Sequence, residues 1–192
     1  MTSSHLVLAS SSPRRQALLS AAGVTFAVVA SGADETRLEH EDAAAYAERV
    51  AQAKALEVSS RIPEALVLGA DTVVEIDGTI LLKPVNADDA RRMLRTLSGA
   101  THTVITAFAV ARGGRLIEST PISARVTFRE LNESEVEAYL ATGEPFDKAG
   151  SYGIQDAGGG FIIAVEGGRD TVMGLPVAAV LDALHRQGFD AA

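Results

Sequence analysis

Ser10-Ser11-Ser12-Pro13-Arg14-Arg15 sets three hydroxyls and two guanidiniums in six consecutive residues. The segment follows the short apolar run His5-Leu6-Val7-Leu8-Ala9 and opens the periodic stretch Arg15-Gln16-Ala17-Leu18-Leu19, so a strand enters it and a helix leaves it. Ser12 suits the cap and Pro13 the first helical position, where its missing N–H is no loss. Arginines at the positive end of a helix oppose the macrodipole unless an anion compensates them. Together with the free backbone N–H groups of the first turn they make a grip for phosphate. The competing reading is an ordinary helix start whose arginines reach solvent or nearby carboxylates.

The cations are distributed unevenly. Of the seventeen basic residues only Lys54, Lys83 and Lys148 are lysines. Where a solvated cation suffices this chain uses arginine, so the three exceptions are candidates for sites that need a compact ammonium with three rotatable donors. The acids that stand out are Asp71, which ends the apolar run Ala65-Leu66-Val67-Leu68-Gly69-Ala70, and Glu35 in the polar segment 31–41. Cleavage of a phosphoanhydride needs a cation-rich surround, an in-line water and a carboxylate that orients the water or holds a divalent cation. This inventory supplies those parts, and turn-capping is the competing role for Asp71. A serine nucleophile has no evident activating partner. His5, His40, His102 and His185 lack zinc-ligand spacing, and His102 reads best as a structural histidine.

These residues need a frame. The expected order is a strand, a helix closed by Gly23, and a strand over 25–30. A helix then runs from Asp42 to about Val58, with Lys54 adjoining its apolar face. Residues 65–69 read as a buried strand delivering Asp71 at its far end, followed by a hairpin turning at Asp77-Gly78. A helix capped by Asn86 runs up to Gly99, a β-rich stretch over 101–128 turns at Gly113-Gly114, and Asn132 with Glu135 forms a capping box. The stretch Lys148–Gly160 is too glycine-rich for a regular helix, and a last helix starts near Pro176. The fold class expected is α/β: a bent mixed β-sheet with flanking helices and a central cleft between two closely joined lobes of one domain over 1–192.

With 192 residues, 47% of them hydrophobic, the chain can bury a substantial core. Its formal charge of -8 argues against a nucleic-acid polymer as partner. No apolar run has membrane-spanning length, and the start is unlike a signal peptide. A soluble, cytoplasmic protein without membrane contact is expected. The absence of cysteine excludes disulfides and thiolate chemistry.

Taken together, the motifs resemble the Maf family of nucleoside triphosphate pyrophosphatases. The matching segments are Leu8–Arg15, Gln52–Ala55, Gly69–Val74, Lys83-Pro84, Leu97–Gly99, Thr101-His102, Val104–Thr106, Asp147–Gln155 and Val172–Pro176. The resemblance implies a Maf/ITPase-like fold, a homodimer, and hydrolysis of a nucleoside triphosphate to the monophosphate and pyrophosphate. It assigns catalysis to Asp71, and substrate binding to Ser12, Arg15, Glu35, Lys54 and Lys83, with Lys148 as a further candidate. Arg14, Thr72 and Gln155 match positions associated with substrate choice in the dTTP and UTP subgroup, and modified pyrimidine nucleotides are further expected substrates. Gln155 offers a donor and an acceptor to a base edge, and Thr72 a hydroxyl next to the carboxylate. The implied cofactor is Mg²⁺, or else Mn²⁺, on Asp71 and Glu35. A nucleotide-binding regulator of cell division without turnover is the competing function. Two departures from the family pattern are Leu82, where glycine is usual, and Gly168-Arg169-Asp170-Thr171, which replaces an aromatic-containing approach to Met173.

Overall fold

The computed structural model describes residues 5–189. Its first elements are β1 (Leu6–Leu8), α1 (Pro13–Ala21) and β2 (Ala27–Val28), so the β-α-β start is present with a second strand shorter than the apolar run suggests. Ser12 caps α1, its side chain accepting from the Arg15 amide, and Pro13 takes the first helical position. Next come α2 (Ala43–Arg61), capped by Asp42, then β3 (Leu66–Ile76) and β4 (Thr79–Leu81). The hairpin turn at Asp77 and Gly78 has φ of 49° and 75°, the left-handed pair of a type I′ turn. The chain continues through α3 (Ala87–Leu97), β5 (Thr101–Arg112), β6 (Arg115–Phe128) and α4 (Glu133–Ala141), the last with its capping box complete. Three 3₁₀ turns, Glu144–Asp147, Ala149–Ser151 and Ala157–Phe161, carry the glycine-rich stretch. β7 (Ile162–Glu166), α5 (Arg169–Met173) and α6 (Val177–Arg186) follow.

The strands form one mixed sheet in the order β2-β1-β3-β5-β6-β7, with β4 pairing β3. β1 is parallel to β2 and β3, whereas β3–β4 and β6–β7 are antiparallel. The chain divides into two compact units. The first takes residues through Asp71, 106–122 and 174 onward, and the second takes 72–105 and 123–173.

In the first unit Leu66, Leu68 and Ala70 of β3 join Leu6, Leu8, Leu19, Val180 and Leu184 in one core. The alternate residues Val67, Gly69 and Asp71 therefore point to the opposite face, where α2 packs. A Cβ on Gly69 would lie 2.4 Å from the Ala51 carbonyl oxygen and 2.8 Å from the Ala55 nitrogen. Those are backbone atoms of α2, so the bare glycine lets the helix settle directly on the strand. Because Lys54 lies between Ala51 and Ala55 in α2, and Asp71 two residues beyond Gly69 in β3, this close approach brings the ammonium to the carboxylate. Gly69→Ala is expected to lower unfolding stability by about 2–3 kcal/mol through overpacking. Thermal unfolding measures it, and an unchanged melting temperature would show that α2 yields freely.

Asp71 corrects one expectation. It does not end a strand but lies in the middle of the 11-residue β3. β1 pairs with Leu66–Leu68 and β4 with Val74–Ile76, leaving Asp71 in the stretch between those two pairings. The apolar run stops there because a charge is buried against its partner, not because the backbone turns.

In the second unit Val74, Ile76 and Leu81 pack with Met93, Leu94, Leu97, Phe128, Tyr139, Tyr152 and Phe161. The arginines on the outer side of α3 are matched by carboxylates: Arg91 with Glu137 and Asp88, Arg92 with Asp89, Arg95 with Glu133. They form a solvated, charge-paired face, as befits a chain that is acidic overall.

Candidate active site

In the first unit Lys54 is the centre of the arrangement. Its Nζ lies 2.8 Å from Asp71 Oδ1 and 3.0 Å from Glu35 Oε1, so one ammonium bridges two carboxylates. Lys54 and Asp71 are buried, whereas the Glu35 side chain is 46% exposed. Of the two arms the Lys54–Asp71 pair is the stronger, because the Glu35 arm is screened by water.

Glu35 belongs to a segment without helix or strand, and the segment is held from outside. The Tyr46 hydroxyl donates to the Glu35 carbonyl at 2.8 Å. Arg49 donates to both carboxylate oxygens of Glu41 and to the Thr36 carbonyl. Burial, with the negative charges of Asp71 and Glu35 adding to it, pushes the Tyr46 phenol up to about 12. Tyr46 thus stays a neutral donor throughout the working pH range, and the Glu35 loop keeps its tether.

At the start of α1, Arg15 Nε donates to the Gly174 carbonyl at 2.8 Å and Nη1 to Ser10 Oγ at 3.3 Å. Ser10 Oγ also accepts from the Ser12 amide at 3.2 Å. Desolvation lowers the Arg15 pKa, and Asp71 and Glu35 oppose that shift as nearby anions while Arg14 reinforces it. Ser12, Arg14, Arg15, Glu35, Lys54 and Asp71 thus lie in one unit, where Arg15, Glu35, Lys54 and Asp71 are linked by opposite charge. Ser10, Gly174, Tyr46 and Arg49 support the gathered groups and were not among the expected site residues. The triple serine was the signal for Ser10, read only as a nucleophile or a phosphate hydroxyl. Gly174 falls in the motif Val172–Pro176, but nothing in that motif shows its carbonyl as a partner of Arg15.

The remaining expected residues lie in the second unit. Thr72 follows Asp71 within β3, so alternation turns its hydroxyl to the opposite face of the strand rather than beside the carboxylate. Lys83 is exposed beyond β4, and the carbonyl of Leu82 before it accepts from the Gly150 amide at 3.2 Å. The Leu82 departure therefore sits where the chain is tied to the 149–151 turn. Gln155 is exposed, and Lys148 is buried with its ammonium on acceptors of its own segment. The Arg169–Thr171 departure forms the start of α5, where Thr171 is buried.

His102 is structural. It is 2% exposed, packs edge-on against Phe128 and Tyr152, and shares a 2.7 Å hydrogen bond between Nε2 and the Tyr152 hydroxyl. Nδ1 is buried without a hydrogen-bond partner among the described residues, and burial depresses the imidazole pKa to about 4. The unfolded chain takes up a proton near 6.5 while the folded one refuses it until about 4, so stability falls as the pH drops through this window. The loss reaches up to about 3 kcal/mol. In His102→Gln that share of the acid sensitivity should vanish, leaving the urea midpoint less different between pH 7 and pH 5 than in the parent. Identical pH slopes in both proteins would refute the assignment.

Among the described residues no group of three or more acidic or histidine side chains is placed to hold a metal ion. Asp71 and Glu35 remain the pair to test. They already share a cation in Lys54, and two carboxylates are what a protein commonly offers Mg²⁺ when water and substrate phosphate complete its octahedron. The donor set fits.

The model of the family described as Maf-like protein matches residues 5–187. The chain belongs to the Maf family. Among Maf relatives, a dTTP/UTP pyrophosphatase of Chromobacterium violaceum is 46% identical over 191 residues, covering 97% of this chain and 96% of its own. Those of Moorella thermoacetica and Vibrio cholerae are 47% and 45% identical, each over 97% of this chain and 97% and 100% of their own. A crystal structure of a nucleoside-triphosphatase, dITP/XTP pyrophosphatase, from Mycobacterium abscessus aligns with TM-score 0.46 and 16% identity, covering 96% of this Maf chain and 94% of that one.

Proposed function

We propose that this Maf protein hydrolyses dTTP and UTP to the nucleoside monophosphate and pyrophosphate. Near-half identity to dTTP/UTP pyrophosphatases over almost the full length supports the substrate. The observation that carries the chemistry is the buried Lys54 bridging Asp71 and Glu35 beside the Arg15 segment.

In this reading Asp71 accepts a proton from the water that attacks the α-phosphorus. As the new P–O bond forms, the bond from the α-phosphorus to the α–β bridging oxygen breaks. Pyrophosphate leaves with that oxygen, and the nucleoside monophosphate keeps the water oxygen. Lys54 holds Asp71 in place. Arg15 and Ser12, at the start of α1, take phosphate oxygens, and Lys83 supplies a further cation. Asp71 and Glu35 would hold Mg²⁺, which would supply charge neutralisation at the phosphate oxygens. Arg14, Thr72 and Gln155 are proposed to select the base. Modified pyrimidine nucleotides as further substrates and a homodimer belong to the same proposal and rest on the family resemblance, and a cytoplasmic location belongs to it as the sequence expectation. No helix among the described residues is long and apolar enough to cross a membrane.

Incubation of the pure protein with a panel of nucleoside triphosphates and Mg²⁺, followed by separation of products, tests the reading. dTTP and UTP should be cleaved ahead of the others, with pyrophosphate released. Orthophosphate with a nucleoside diphosphate would overturn the bond assignment.

A further inference from the structure

Lys148 was expected at phosphate, but its surroundings assign its three donors elsewhere. Nζ lies 2.5 Å from the Glu144 carbonyl, 2.7 Å from Asp147 Oδ1 and 2.9 Å from Asp156 Oδ2, and the residue is 7% exposed. One ammonium therefore ties the two ends of the segment 144–156 together, and the acceptor at the far end is the residue next to Gln155.

The rest of the segment is built around that tie. A Cβ on Gly153 would stand 2.3 Å from Asp156 Oδ2 and 2.8 Å from Lys148 Cε, so the ion pair occupies the space that a side chain at 153 would need. The Gly153 amide donates to the Tyr139 hydroxyl at 3.2 Å, the Ala157 amide to Glu144 Oε2 at 3.2 Å, and the Gly159 amide to the Asp156 carbonyl at 2.8 Å. Residues on both sides of Gln155 are thus pinned while Gln155 itself stays exposed. A glutamine that reads a base edge must hold its amide to within tenths of an ångström, because hydrogen bonds weaken steeply with misalignment.

We propose that Lys148 and Asp156 are positioning residues for Gln155, setting the place of the base-reading amide, and that Lys148 acts there and not on phosphate. This rests on the proposed pyrimidine triphosphate pyrophosphatase activity. A phosphate ligand and a positioning residue leave different marks. Losing a phosphate contact weakens every nucleoside triphosphate alike, whereas displacing Gln155 weakens uracil and thymine recognition and spares the polyphosphate.

The test compares kcat/KM for UTP and CTP, and inhibition by inorganic tripolyphosphate, in the parent, Asp156→Asn, Lys148→Met, Gln155→Ala and the double variant Gln155→Ala with Asp156→Asn. Asp156→Asn keeps shape and volume, and thermal unfolding verifies that each variant is folded. The UTP-to-CTP ratio is expected to fall about tenfold or more in each single variant. Tripolyphosphate inhibition should stay within twofold, and the double variant should lose no more discrimination than Gln155→Ala alone. The proposal is overturned, with the functional reading intact, if the parent discriminates and Asp156→Asn keeps its ratio within twofold. It is also overturned if Lys148→Met weakens UTP, CTP and tripolyphosphate equally. A parent that does not cleave UTP overturns the functional reading and this proposal together.

Discussion

Asp71→Asn is expected to lower pyrophosphate release from dTTP by about a thousandfold, while nucleotide affinity stays within a few fold. A positioned general base contributes about 10²–10⁴ in rate. Asparagine preserves the shape of the side chain but cannot take the proton, and it presents a neutral amide to Lys54. Steady-state pyrophosphate release measures the first quantity and calorimetric titration with a non-hydrolysable dTTP analogue the second. The split matters, because a protein that only senses nucleotide has no turnover to lose. Turnover within tenfold of the parent would remove Asp71 from the reaction.

Lys54→Met should be the most damaging single change to the fold as well as to the reaction. Methionine nearly matches the volume of the aliphatic stem, so the loss is electrostatic. Asp71, whose side chain is 10% exposed, would be left as a buried carboxylate without its ammonium. Breaking such a pair costs about 3–5 kcal/mol. For a chain of 192 residues that lowers the melting temperature by roughly 6–20 °C. The half-exposed Glu35 contributes little to this figure. Adding Asp71→Asn to Lys54→Met removes the stranded charge, so the double variant should recover part of the lost stability and none of the activity. Additive losses in the two unfolding experiments would show that the residues act independently.

How far the chain declares this site can be judged from its lysines. Their scarcity singled out three positions, and the structure gives two of them work that suits an ammonium. Lys54 spans two carboxylates, and Lys148 points three donors at three acceptors of one segment. The planar fork of arginine matches a single carboxylate better than such divergent partners. The acceptors themselves were beyond reading, since nothing in composition or periodicity separates Asp156 from a surface aspartate. Helix starts at Ser12, Asp42, Asn86 and Asn132 were readable because caps are local. Asp71 stands out in the sequence as a carboxylate closing an apolar run, and the structure places it inside the strand instead of at its end. A charge normally interrupts an apolar strand, and only a partner seventeen residues earlier, on a different element, allows it to lie within one. The Arg15 bond to Gly174 spans 159 residues and left no local trace.

Gly69 also sets a limit on how this protein can be hardened. Its φ lies outside the left-handed region, and at such positions exchange of glycine for alanine is a standard first step, worth about 0.4–1 kcal/mol through the unfolded chain. An engineer or a consensus procedure would accept it from backbone geometry alone. Here the added methyl group would lift α2 and carry the Lys54 ammonium away from Asp71, so thermostability and turnover would be lost together. The paired arginines and carboxylates on the α3 and α4 surfaces are better places to begin, because they lie far along the chain from Lys54 and Asp71 and face solvent.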